Sequence, residues 1–156
     1  MSSRRELTLR FLAEPTDVNF GGKVHGGAVM KWIDQAGYAC AVGWSRRYCV
    51  TVYVGGIRFI RPIFIGNVVE AQARVIHTGR SSMHIAVDVD AGDPRDDRLE
   101  KTTHCIIVFV ALDDAGKPAD VPSWLPSSEE DRALERYAVR LMELRKGIEA
   151  EMDTHR

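Results

Sequence analysis

The sequence predicts a single α+β domain in which an antiparallel β-sheet wraps a long central helix, with an additional helix at the C-terminus. Three observations predict it. The chain has 156 residues, 45% of them apolar, a length suited to one domain. One long apolar segment without proline runs from Gly26 to about Trp44. Beyond it the hydrophobic period drops to two through four successive runs rich in β-branched residues.

Each element has its own local reason. Residues 7–13 alternate well enough for a short strand, and Pro15 with Asp17 breaks it. A glycine-rich loop then leads into the helix. Within that helix Lys31, Asp34, Gln35 and Tyr38 form one polar stripe on an otherwise apolar cylinder, which predicts a mostly buried helix. Strands are expected near 48–60, 67–78, 82–91 and 101–112, separated by breaks suited to antiparallel connections. Gly116 to Pro126 reads as a linker, and Ser127-Ser128-Glu129-Glu130 as a capping box. A final helix over about 128–152 places Leu134, Tyr137, Leu141, Leu144, Ile148 and Met152 in one stripe, which must pack on this subunit or a neighbour. The organisation expected is a main domain over 1–126 and a helical extension over 127–156.

Composition excludes several classes. With 21 Lys+Arg against 22 Asp+Glu and a net charge of −1, there is no basic footprint for nucleic acid. No apolar run reaches the roughly 18–20 residues of a membrane span, and Met1 to Arg10 is too polar for a signal peptide, so a cytoplasmic protein is expected. Cys40, Cys49 and Cys105 form no CxxC pair and read as reduced, packed thiols. Histidines 25, 77, 84, 104 and 155 show no metal-ligand spacing, so no metal site is expected. A core this small also suggests that a partner subunit covers excess apolar surface.

The chemistry-bearing candidates cluster at the start of the central helix. Asn19-Phe20-Gly21-Gly22-Lys23-Val24-His25-Gly26-Gly27 opens it, and free N–H groups there favour an anion or a developing oxyanion. A purely structural turn explains the same glycines. Asp34 is the only carboxylate between Val24 and Trp44. It is either a buried carboxylate held for chemistry, at a cost of several kcal/mol, or part of a solvent-facing stripe. Gly27 and Asp34 share a helix face about 10 Å apart, so one helix cannot bring its Asp34 beside its own N-terminus; two antiparallel copies can. Between Ile57 and Arg80, Arg58, Arg61, Arg74 and Arg80 oppose only Glu70, a local charge of +3 that suits a polyphosphate or a solvated strand face.

The spacing Asn19-x5-His25-Gly26-Gly27-x6-Asp34, with Phe59-Ile60-Arg61-Pro62, Asn67-Val68-Val69-Glu70 and Gly79-Arg80-Ser81-Ser82-Met83 in that order, resembles the hotdog-fold acyl-CoA thioesterases of the acyl-CoA hydrolase family. The resemblance covers about residues 6–145. It implies hydrolysis of acyl-CoA to free fatty acid and CoA, CoA being part of substrate and product, with no cofactor. It implies an active site between two subunits and assembly as dimers, with trimers of dimers expected.

Residue by residue, the resemblance makes Asp34 general base or nucleophile and Asn19 the asparagine contributed across the interface. His25, Gly26 and Gly27 would bind the thioester carbonyl. Gly79, Arg80, Ser81 and Ser82, with Arg58 or Arg61 nearby, would bind CoA. Lys23 and Gly55-Gly56 depart from many relatives; Lys23 is expected to alter local charge near the thioester, and the glycine pair either to widen the acyl pocket or to change backbone approach. The rival readings are a noncatalytic acyl-CoA-binding module and an enoyl-CoA hydratase or dehydratase; Asp17 and His25 lack the spacing expected of the hydratases.

Overall fold

The computed structural model describes residues 4–155. In chain order these form β1 (Glu6–Leu12), a 3-10 turn (Pro15–Asp17), α1 (Gly26–Ser45), β2 (Cys49–Phe59), β3 (Val68–Thr78), β4 (Ser82–Gly92), β5 (Glu100–Ala111) and α2 (Glu129–Asp153). Every expected element is present, with its ends within one residue of the sequence reading. The five strands make one antiparallel sheet in the order β1-β3-β4-β5-β2.

α1 crosses one face of the sheet. Ile33, Ala36, Cys40 and Ala41 pack on Val69, Ala71, Val75, Ile85, Ile107 and Phe109. The close approach depends on Gly37: a Cβ there would lie 2.8 Å from the Phe109 ring and 3.0 Å from Ile107. A mid-helix glycine costs about 1 kcal/mol in propensity, offset here by helix-to-sheet contact. The polar stripe faces outward, with Lys31, Asp34, Gln35 and Tyr38 all exposed in a single protomer.

α2 covers the opposite face. Leu134, Ala138 and Leu141 pack on Ile76, Ala86 and Ile106, and the Tyr137 hydroxyl meets His104 Nε2 at 2.9 Å. Only the first half of the expected apolar stripe is packed: Leu144, Ile148 and Met152 are 48%, 54% and 67% exposed. The N-terminal cap also differs from expectation. Ser128 Oγ accepts from the Asp131 N–H at 3.0 Å, which places Asp131 rather than Glu130 at the third helical position.

Two further expectations are corrected. The Gly55-Gly56 pair adjoins α2, on the sheet face away from α1, so of its two expected effects it changes a close approach rather than widening a pocket along α1. Gly56 takes a left-handed φ of +63° within an irregular stretch of the β2–β5 register, and the Tyr53 ring folds over Gly55 where a Cβ would sit. The local +3 is also largely neutralised, because Arg61, Arg74 and Arg80 pair with Glu100, Glu130 and Asp120. Partners distant in sequence supply the missing acids.

Candidate active site

Residues 18–25 form a tight loop closed by a Val18–Val24 bridge and a turn in which Gly22 has a φ of +80°. Asn19 organises it: its Oδ1 accepts from the Gly21 N–H at 2.8 Å and the Lys23 N–H at 3.2 Å. The side-chain NH2 of Asn19 is left without an acceptor among the described residues.

His25 caps α1. Its Nδ1 accepts from the Ala28 N–H at 3.0 Å, satisfying one of the orphan donors of the first turn. Gly27 eases this geometry, since a Cβ there would stand 3.1 Å from the His25 ring and press it aside by a few tenths of an ångström. The Gly26 and Gly27 N–H groups have no acceptor among the described residues, so two donors at the positive end of the helix dipole remain for a ligand oxygen. Gly26 borders an open groove of about 270 Å³ whose walls include Asn19, Lys23, Phe59, Arg61 and Thr103.

Asp34 lies two turns further along the same exposed helix face, about 10 Å away along the axis. Its Oδ1 accepts a 2.8 Å hydrogen bond from Thr51 Oγ1 on β2. Thr51 escaped the sequence reading. Its signal was the strand period: it stands two residues after buried Cys49, which puts its hydroxyl on the face of β2 that α1 approaches although the side chain is exposed in the protomer.

The residues assigned to CoA divide into two places, which corrects the expectation that Arg58 or Arg61 lies near the Arg80 turn. Gly79, Arg80, Ser81 and Ser82 form the β3–β4 turn, tied by Gly79 N–H to Ser82 C=O at 2.9 Å. Ser82 pairs with Val110, whereas Arg58 pairs with His104, which pairs with Asp88. Six residues of β4 separate these rows, about 20 Å at the rise of a strand. Within one protomer the two sets cannot touch one CoA phosphate together. Arg61 instead lines the groove with Asn19 and Gly26.

A helix laid across one face of an antiparallel sheet, with backbone donors at its start and a carboxylate on its outer stripe, is a hotdog-type acyl-transfer scaffold. Comparison with known proteins agrees. Residues 21–97 match the thioesterase superfamily. The acyl-CoA thioester hydrolase YciA of Salmonella typhimurium is 37% identical over 121 residues, 75% of this chain and 90% of that protein. A hexameric thioesterase from Yersinia pestis is 38% identical with a TM-score of 0.68, over 74% of this chain and 93% of the other. The Staphylococcus aureus acyl-CoA hydrolase in complex with butyryl coenzyme A, coenzyme A and coenzyme A disulfide is 26% identical with a TM-score of 0.88, over 97% of this chain and 92% of that one. The chain belongs to the thioesterase superfamily, among the acyl-CoA thioester hydrolases, and its fold is the hotdog fold.

Alanine variants of one asparagine, one aspartate and one threonine of the Staphylococcus aureus enzyme have been crystallised. Along that chain the three lie 15 and 17 positions apart in that order. Asn19, Asp34 and Thr51 have the same separations here.

Proposed function

We propose that the protein hydrolyses acyl-CoA thioesters at a site assembled from two subunits. The observation that carries this reading is the Thr51–Asp34 hydrogen bond, set on the same helix face as the unpaired Gly26 and Gly27 donors. Thr51 holds one carboxylate oxygen, leaving Oδ2 to act. As general base, Asp34 takes a proton from water while the oxygen attacks the thioester carbonyl carbon. The carbonyl oxygen gathers negative charge and is met by the Gly26 and Gly27 N–H groups. The C–S bond then breaks as Asp34 gives the proton it took from water to the CoA sulfur, which yields acid and thiol and restores the carboxylate. Asn19, through its free NH2 group, orients the water or the thioester. The reading needs no cofactor or metal.

The sheet edge supplies the missing geometry. β2 is an edge strand that carries no charge or proline from Cys49 to Ile57 and exposes Val52 and Val54. Such an edge invites pairing. Asp34 meets Thr51 near the start of β2, and Gly26 meets the Phe59 ring at its end. Antiparallel pairing of two β2 strands about a two-fold axis near Gly55 sets Thr51 opposite Phe59 of the partner subunit. Asp34 then comes beside Gly26 and Gly27 of the partner subunit. The same operation carries the Arg80 turn of one protomer toward the Arg61 end of the other, which rejoins the CoA-binding set across the interface.

Trimers of dimers are the assembly proposed, by analogy with the hexameric relative. A cytoplasmic location fits three free, buried cysteines; among the described residues no helix is long and apolar enough to cross a membrane. Free-CoA release from a panel of acyl-CoAs tests the reading. Turnover is expected on at least one chain length, and no turnover on any would refute it.

A further inference from the structure

On the sheet face opposite α1, a cavity of about 150 Å³ lies between α2 and the β5–β2 edge. Its walls include Tyr53, Ile106, Val108, Leu141, Leu144 and Ile148, and Gly55 and Gly56 border it without side chains. His84 and Arg145 also line it. His84 is only 4% exposed, and neither ring nitrogen has a partner among the described residues. Its ring stands edge-on to His77 at 5.2 Å. Burial, then the charges of His77 and Arg145, hold its pKa down to about 4, so at neutral pH the imidazole offers one N–H donor and one acceptor. Buried polar groups are nearly always paired, and an orphaned side chain lining a cavity points to something that enters it. The Arg145 guanidinium stacks over the Tyr53 ring at 4.6 Å and contacts Glu149 at 2.8 Å.

We propose that this cavity binds a short-chain monocarboxylate, with its tail against the apolar walls and its carboxylate between the His84 N–H and the Arg145 guanidinium. A cavity of this size accepts a body about as large as benzene, which suits a tail of roughly four to six carbons. The converging donor and cation select an anion over a neutral hydrocarbon. Fatty acid is the product of the hydrolysis proposed above, so the assignment of the site to product sensing rests on that reading. The sheet separates this cavity from α1 and Asp34.

The test is calorimetric titration of the full chain with sodium hexanoate, with free-CoA release measured in parallel. Saturable binding is expected below about 10 mM. It should weaken at least about tenfold in His84→Phe, which fills the cavity, and in Ile148→Trp, which blocks its exposed mouth without touching the core. Hexanol should bind about tenfold more weakly than hexanoate. Asp34→Ala should bind hexanoate like the wild type, so loss of hydrolysis and loss of this site are read separately. Absence of saturable binding, equal binding of hexanol, or binding that survives Ile148→Trp would overturn the proposal.

Discussion

Thr51 Oγ1 donates a 2.8 Å hydrogen bond to Asp34 Oδ1, joining the edge strand to the helix at its only carboxylate between Val24 and Trp44. The bond fixes which carboxylate oxygen is free and where it points. Thr51→Val keeps the shape and removes the donor, so the rate should fall by about tenfold or more, while Asp34→Ala should cost about 100-fold or more. Both side chains are exposed in the protomer, so thermal melts should stay near wild type. Free-CoA release and a melting curve on each variant check this.

The β2 edge should hold the dimer. Replacing Val52 and Val54 together by Lys places like charges across a two-fold and adds none to the protomer core, since both are exposed. Sedimentation should show a shift to monomer, and hydrolysis should disappear with the dimer although Asp34 is untouched. A fully active monomer would contradict the two-subunit site.

Gly37 sets the distance between α1 and the sheet. Gly37→Val would place atoms against the Phe109 ring, whose Cε2 already stands 2.8 Å from the position of an added Cβ. Overpacking of this kind costs about 1–3 kcal/mol, and a domain of this size should lose several degrees of melting temperature, about 3–8 °C. Half-buried Gly43, with no neighbour within 4 Å of an added Cβ, should accept alanine without loss.

His84 should make the fold sensitive to mild acid. Burial lowers its pKa from 6.5 to about 4. Between those values the unfolded chain binds a proton that the folded chain does not, so stability falls as pH drops from 6.5 to 4, by at most roughly 3 kcal/mol. His84→Leu should flatten that part of the stability curve, measured by denaturant unfolding at a series of pH values.

Arg61 and Arg80 should both matter for CoA and not for chemistry. Arg61 lines the groove with Asn19 and Gly26, and Arg80 lies at the far end of the sheet. Either one changed to Ala should raise KM for acyl-CoA several-fold, about three- to tenfold, with kcat near wild type. Equal KM for both variants and wild type would remove these residues from the binding set.

Much of this protein was legible in the chain. The five strands and two α-helices follow from the sequence to within one residue, because β-branched period-two runs and one proline-free apolar segment leave little choice, whereas the 3-10 turn at Pro15–Asp17 read only as a break. Asn19, His25, Gly26, Gly27 and Asp34 were found as a pattern because one short loop and one helix carry them all. Thr51 was not, since its partner lies 17 residues earlier and only the folded strand brings the two together. The arginine segment misled for a related reason. Local counting sees Arg61, Arg74 and Arg80 beside a single acid, but Glu100, Glu130 and Asp120 arrive from other strands, loops and α2.

Hydrophobic period, glycine placement and helix caps act over a few residues, so the sequence alone determined the strands, the two α-helices and the helix entry, while it left Asp34 open between burial and exposure until the structure set it on the outer face. Strand order and the pairing of distant side chains depend on which surfaces meet, and only the tertiary structure decided them. It set β2 at the sheet edge, tied Thr51 to Asp34, separated Arg58 from the Arg80 turn, and sealed His84 beneath α2. Local rules cannot encode such contacts, because each is selected by burial and register across the whole sheet.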